Sequence, residues 1–250
     1  MPHTTGTRYA VVSCHVERPL DDGVRTRFFE MQIRRPGGFR IAPLVRPADT
    51  VSGEDEAAWL ERVLSSADLG SLGHHTHWTA PDHARPTTGG TGERVLAEGR
   101  HLRFLGLAPK LFCGGGWYTD EAVAEACAEL GYVDCTPRAA RPQYLGDGDA
   151  WASLAAPSRV RLPSGRVLGA IPTTHSLGDL ARALLRPWSL PRVVHVYFHD
   201  TDLLHGRRRA LLRALLPLLA RLARPSDLET LAAAVLPEAP EVAWSDVAQT

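Results

Sequence analysis

Short apolar runs of β character alternate with longer amphipathic segments along the whole chain, and this rhythm restricts the possible folds more than any other feature. A strand, a crossover helix and a second strand make a parallel pair, so sustained alternation predicts a parallel α/β sheet or barrel. The predicted strands are 8–17, 39–45, 71–77, 110–114, 131–136, 167–171 and 193–199. Helical periodicity covers 54–66, 92–106, 120–130, 177–186 and 206–223, with Trp59, Leu60, Val63 and Leu64 on one face of the first. The class expected is a distorted (β/α) barrel of about seven parallel strands, and a chain of 250 residues fits one domain. The segment 137–165, rich in Pro, Gly and Asp, reads as a long loop at the barrel rim.

Charge and cysteine usage narrow the partners. The chain has 28 basic and 28 acidic side chains, so it offers no positive surplus for phosphates. Neither a nucleic acid nor an anionic membrane surface is expected as a partner. Arg213, Pro217 and Arg221 interrupt the Leu-rich segment near the C-terminus, which excludes a membrane span there. Cys14, Cys113, Cys127 and Cys135 stand singly, with no C-x-x-C pair and no leading apolar segment. They read as reduced thiols of a cytoplasmic protein. No feature sets the oligomeric state.

In parallel α/β folds the reactive side chains collect where strands end and βα loops begin. Glu17, the pair His75 and His77, the glycine turn at 114–116, and His199 with Asp200 all fall at such ends. In G-H-H-T-H-W at 73–78, residues i and i+2 of a strand project to the same side. His75 and His77 can therefore converge on one ion, with His74 and Thr76 turned away. Two imidazoles and a carboxylate are a common catalytic zinc environment, and Glu17 of S-C-H-V-E can supply the carboxylate. His15 shares its strand face. Alternatively Glu17 pairs with Arg18 and His15 is a satisfied interior histidine. In V-H-V-Y-F-H-D-T-D at 194–202, His195, Tyr197 and His199 share a face, and Asp200 or Asp202 can hold the His199 ring. Asp202 can also cap the helix that follows.

C-G-G-G-W-Y-T-D at 113–120 matches neither phosphate-loop pattern, and the acidic Asp120 and Glu121 at the next helix start oppose a phosphate there. Thr119 is expected as that helix's N-cap. Gly115 and Gly116 allow a ligand close to the backbone, with Trp117 or Tyr118 as a stacking surface suited to a sugar ring. His175 of P-T-T-H-S is a further rim residue and candidate substrate contact, beside Ser176 as a helix cap.

Taken in order, these motifs resemble the polysaccharide deacetylase family, also called the NodB-homology or carbohydrate esterase family 4 group. The resemblance spans about residues 8–223. It implies a distorted barrel, one divalent metal ion, usually zinc, and removal of acetyl groups from N-acetylated sugars. His15 stands where the family's base aspartate would be, and Glu17 where its acidic metal ligand would be. G-H-H-T-H-W-T-A-P is similar to the G-x-H-x-H-P-W-x-T-P-P form of the second motif and points to His75 and His77 as the other ligands. F-C-G-G-G-W with L-G-Y at 130–132 fits the third motif except that Cys113 replaces an arginine. Y-F-H fits the last, with His199 as the acid. These matches imply a hydrolase of N-acyl groups on a saccharide or small sugar-containing substrate. The alternatives are a catalytically inactive carbohydrate-binding protein and a metal-dependent amidohydrolase of a non-sugar amide. The second of these often needs a bridging lysine, and Lys110 is the only lysine present.

Overall fold

The computed structural model describes residues 7–80, 83–86 and 89–250; His3 and the Pro81 of the turn after the second motif lie outside them. Twelve strands are formed in the described residues: β1 (Tyr9–Val16), β2 (Ile41–Val45), β3 (Gly73–Thr76), β4 (Leu111–Gly114), β5 (Val133–Asp134), β6 (Trp151–Ala152), β7 (Ser158–Arg161), β8 (Val167–Ala170), β9 (Val193–His199), β10 (Arg224–Pro225), β11 (Glu241–Ala243) and β12 (Ala248–Gln249). The helices are α1 (Asp22–Arg34), α2 (Glu56–Ala67), α3 (Thr91–Phe104), α4 (Glu121–Glu129), α5 (Leu177–Ala183), α6 (Gly206–Leu222), α7 (Leu228–Val235) and α8 (Trp244–Val247).

Strand order in the main sheet is β10-β1-β2-β3-β4-β5-β8-β7-β11, and β9 also pairs with β1. Every pair from β9 through β1 to β5 and β8 is parallel. The expected α/β class with a mostly parallel sheet is therefore what forms. The chain leaving β8 makes one parallel bridge to β9 at His175 and Val196. Thr174 and His175 donate their N–H groups to the His195 carbonyl there, both at 3.0 Å. β8 and β9 thus meet at their C-terminal side by a single bridge in place of regular strand pairing.

Alternation along β1 sorts its side chains into two cores. Ala10, Val12, Cys14 and Val16 pack outward with Phe28 and Met31 of α1, Trp59 of α2 and Leu212, Leu216 and Leu219 of α6. Val11 packs on the other side with Ala42, Leu44, Leu111, Cys113 and Ile171. Ser13 and His15, both buried, continue that inner row toward the strand's end. Strands covered on both faces are expected to be nearly continuous apolar runs, and only the inner row here turns polar. Gly73 opens β3 because nothing larger fits: a Cβ there would lie 2.1 Å from Leu44 Cδ2 and 3.0 Å from Leu111 Cβ.

Three regions differ from the sequence expectation. α1 has no counterpart among the predicted helices, although Asp21 accepts the Val24 N–H at 2.9 Å as its N-cap and Val24, Phe28 and Met31 recur at helical spacing on its buried face. The expected loop 137–165 contains β6 and β7, and β7 pairs antiparallel with β8 across the turn at 162–166. Val160 is buried while Arg161 is exposed, an alternation masked in the sequence by the flanking Pro and Gly residues. The elements after α6, from β10 to β12, also lie beyond the predicted ones. Thr119 is buried and does not cap α4; Asp120 Oδ1 accepts the Val123 N–H at 2.8 Å instead. Ser176 does cap α5, reciprocally with Asp179. Asp202 does not cap α6, whose N-cap position is taken by His205. All four cysteines are free and buried, and among the described residues no helix is long and apolar enough to cross a membrane.

Asp134 of β5 is fully enclosed, and burial pushes its carboxyl up to about 6 against hydrogen bonds from the Thr136 hydroxyl and N–H. A folded-state value above the unfolded one means the group contributes stability below about pH 4 that is lost as pH rises through about 6. Asp134→Asn keeps the acceptor without the charge. Between pH 4 and 7 the wild type should lose about 2–3 kcal/mol relative to this variant in denaturant unfolding, the linkage value for about two pH units. Parallel pH profiles of the two proteins would show that the carboxyl carries no such penalty.

Candidate metal centre

Glu17, immediately after β1, is fixed by its backbone on both sides. Its N–H and that of Arg18 donate to Asp200 Oδ2 at 3.0 and 2.9 Å. Its carbonyl accepts from Arg46 Nε and Nη2 at 3.3 and 3.2 Å. The buried Arg46 guanidinium is held in turn by Glu54, Nη2 to Oε1 at 2.6 Å and Nη1 to Oε2 at 3.0 Å. Such a two-point fork fixes orientation as well as charge. Asp200, expected to hold the His199 ring, instead holds the end of β1. Burial raises its carboxyl to about 7, with the Glu17 charge adding to the shift and the backbone N–H groups opposing it. Arg46 was missed because nothing in R-P at the end of β2 marks it as more than a rim arginine.

The side chain of Glu17 meets three imidazoles. Its Oε1 lies 3.4 Å from His77 Nε2, 3.6 Å from His199 Nε2 and 3.9 Å from His75 Nε2. His75 Nδ1 donates to the Cys113 carbonyl at 2.8 Å, which fixes that tautomer and leaves its Nε2 lone pair facing Glu17. The opposite face of the strand is tied down separately. Glu98 Oε2 of α3 bonds His74 Nε2 and Thr76 Oγ1, both at 2.9 Å, and its Oε1 accepts from Arg94 Nε at 2.8 Å. His74 and Thr76 thus point away from the site, and their bonds set the strand from which His75 and His77 project.

Glu17, His75 and His77 each offer a ligand atom within 4.8 Å of the other two. Buried His75 Nε2 has no hydrogen-bond partner among the described residues, a condition polar atoms in protein interiors seldom keep. Burial drives the His75 imidazole down to about 4 despite the attraction of Glu17. Burial works to raise the Glu17 carboxyl, but the imidazoles of His75 and His77 overcome it and hold the group well below the usual carboxylate range. A neutral imidazole facing an ionised carboxylate is the donor chemistry a divalent ion such as zinc takes, so the residues fit such an ion.

An open cavity of about 410 Å³ rises from this cluster. His15 forms one wall, its ring 4.4 Å from that of His75, 5.2 Å from that of His199 and 5.5 Å from that of Trp117. Burial first, then the neighbouring His75 and His199, lower the His15 imidazole well below its ordinary value. His199 is partly exposed at the mouth, with Nδ1 4.0 Å from Asp202 Oδ2. Asp202 accepts the His199 N–H at 3.1 Å and pairs with Arg208.

Gly116 and Trp117 line the cavity. Gly116 has φ +61°, and a Cβ there would lie 2.9 Å from Arg85 Cγ and 3.1 Å from Tyr144 Cε1. Trp117 also has positive φ, 66°, and is clasped between the Tyr197 ring at 4.7 Å and the Arg138 guanidinium at 4.6 Å. Gly115, Tyr118 and His175 do not line it. The turn 115–117 rotates the chain so that the Tyr118 hydroxyl donates to Asp120 Oδ2 at 2.7 Å and its ring packs on Trp78. The Gly115 carbonyl accepts the Trp78 Nε1–H at 2.9 Å, and the Gly114 N–H is taken by Thr136 Oγ1 at 2.8 Å. His175 sits at the β8–β9 bridge with Nδ1 2.7 Å from Thr174 Oγ1. Tyr144 and Tyr197 line the cavity instead. Tyr144 arrives from the loop that Asp149 ties to Arg85, Oδ2 to Nη2 at 2.8 Å, a contact with no local sequence signal.

No protein-family model matches the sequence. No curated protein sequence matches it. In structure it is similar to a 4-alpha-glucanotransferase from Thermococcus litoralis, with TM-score 0.58, 12% identity and 95% of this chain covered. The chain spans 42% of that protein's length. It is also similar to a family 4 carbohydrate esterase from Streptomyces lividans, solved with acetate, and to a polysaccharide deacetylase-like protein of O-antigen biosynthesis from Bordetella bronchiseptica. Both have TM-score 0.45 and cover 90% of each chain, at 12% and 15% identity. At such identities the likeness concerns the fold alone, and a score of 0.45 carries no argument about chemistry.

Removing the Asp200 carboxylate leaves the Glu17 and Arg18 N–H groups without their acceptor. Asp200→Ala should lower unfolding stability by about 1–3 kcal/mol, the cost of unsatisfied buried donors. A denaturation midpoint equal to that of the wild type would show that this contact does not hold the strand end.

Proposed function

We propose that the protein is a metal-dependent hydrolase that removes an N-acetyl or other N-acyl group from a sugar-containing substrate. The observation that carries this reading is the convergence of Glu17, His75 and His77 around one point, with His75 Nε2 lacking any hydrogen-bond partner among the described residues and His199 at the mouth. The resemblance of the four sequence motifs to polysaccharide deacetylases agrees with it.

Glu17, His75 and His77 would hold a divalent ion, most fittingly zinc, which when bound supplies Lewis acidity toward an acyl carbonyl oxygen and acidifies water. His15, kept neutral by burial, accepts a proton from the attacking water. His199 lies at the solvent side and delivers a proton to the departing amine, with Asp202 beside its Nδ1. Asp200 is a positioning residue that holds the Glu17 backbone. Trp117, Tyr197 and the half-exposed Tyr144 give the cavity aromatic walls against which the apolar faces of a sugar ring can stack.

The test separates metal binding from turnover. Purified wild type should contain about one equivalent of zinc or a similar ion by elemental mass spectrometry, falling at least tenfold in His75→Ala and in His77→Ala. His199→Ala should retain the ion and release acetate from N-acetylated sugars about 10²–10⁴-fold more slowly. An acetate-releasing His77→Ala protein without metal would sink the proposal, as would wild type that binds no ion when zinc is supplied.

A further inference from the structure

Two sets of ligating side chains overlap at the cavity floor. The outer set is Glu17, His75 and His77; the inner set is His15, His75 and Cys113, each offering one ligand atom within 4.8 Å of the other two. All three inner residues are buried. Strand register makes the set: His75 pairs with Cys113 across β3 and β4, and the β1 residue His15 brings its ring to 4.4 Å from that of His75.

An independent observation points to a ligand at this place. The buried Nε2 atoms of His15 and His75 have no hydrogen-bond partner among the described residues. The neighbours of His15 are rings, those of His75, Trp117, Tyr197 and His199, which fill space without satisfying that nitrogen. The donor chemistry of the two sets differs. The outer one has a carboxylate and suits zinc and harder ions, whereas the inner one replaces it with a sulfur, which favours softer ions.

We propose that His15, His75 and Cys113 form a thiolate-containing metal site that takes one soft ion, such as cadmium(II) or copper(I), in competition with the outer set. Entry of the ion expels the Cys113 thiol proton to solvent, and the sulfur lone pair forms the new bond without a change of oxidation state. Since both sets use His75, filling the inner one removes a ligand from the outer one and takes His15 out of its proton-accepting role. Thiophilic ions are therefore inhibitors of the proposed hydrolase by displacement within its own site. The inference goes beyond the hydrolase reading and does not require it.

Full-length protein, reduced and stripped with chelator, is titrated with cadmium(II) while the thiolate-to-metal charge-transfer band in the ultraviolet is followed. The band should saturate at about one equivalent, vanish in Cys113→Ser, weaken in apparent affinity at least tenfold in His15→Ala, and persist in His77→Ala, which lacks only the outer set. Cadmium X-ray absorption on the wild type supplies a readout independent of variant folding, with sulfur expected in the first coordination shell. A shell of nitrogen and oxygen only would overturn the proposal. So would a band that survives in Cys113→Ser, because it would then arise from Cys14, Cys127 or Cys135. A band that disappears in a folded His77→Ala protein would overturn it too. A cadmium band with no zinc retained at the outer set would uphold this site and defeat the hydrolase reading, so the two failures are distinguishable.

Discussion

A strand covered on both faces leaves its side chains no water to turn to, and β1 is such a strand. From Ala10 to Val16 its residues are buried. One row packs against α1, α2 and α6, and the other enters the space bounded by the parallel strands. The inner row passes from Val11 through Ser13 and His15 to Glu17, becoming more polar toward the C-terminal end. Charged and hydroxyl groups in that row must be matched locally, because an unpaired charge in such a place costs far more than a pair contributes, and of the row only His15 keeps a buried nitrogen with no partner among the described residues. Ser13 is matched by His195 at 2.9 Å, and Glu17 by the histidines around it.

The remaining architecture serves to hold that row and its counterparts still. Asp200 and Arg46 grip the peptide groups around Glu17 from β9 and β2, so its carboxylate can face the imidazoles without relying on its own flexible side chain. Glu98 grips the reverse side of β3 through His74 and Thr76. The Cys113 carbonyl fixes the His75 tautomer from β4. These partners are charged or backbone groups acting on buried or half-buried atoms, where a hydrogen bond is stronger and its loss more damaging than at the surface. A site held this way keeps its geometry before any ligand arrives.

Much of this was legible in the sequence wherever a period-2 argument applied. The same-side projection of His75 with His77, of His15 with Glu17, and of Tyr197 with His199 follows from strand geometry alone, and these residues do line one cavity. The argument failed where the chain leaves a strand. Tyr118 and His175 lie just past the ends of β4 and β8, where side-chain directions depend on neighbours such as Asp120 and Thr174, and neither lines the cavity. Asp200 follows His199 directly, yet the 3₁₀ turn at 200–204 points it at the β1 backbone. Tyr144 reaches the cavity on a loop pinned by Asp149 to Arg85, a pairing of residues far apart in the chain. The hairpin of β7 and β8 was hidden by the Pro and Gly residues that bound it, although S-R-V-R carries the alternation of a strand.

By itself the sequence determined the α/β class, the position of seven of the strands, and which of their side chains share a face, because backbone pleating has a fixed period. Tertiary structure alone decided which strand ends meet. That β1 lies between β9 and β2, so that Glu17 comes within 4 Å of histidines from two other strand ends, depends on pairing of β1 with segments 184 and 29 residues away in the chain. Pairing of β3 with β4 brings Cys113 beside His75, and so places a sulfur within reach of the site that the motif's spacing does not announce. Local periodicity sets direction along one strand, whereas distance between strands is set by how the whole sheet packs against its helices.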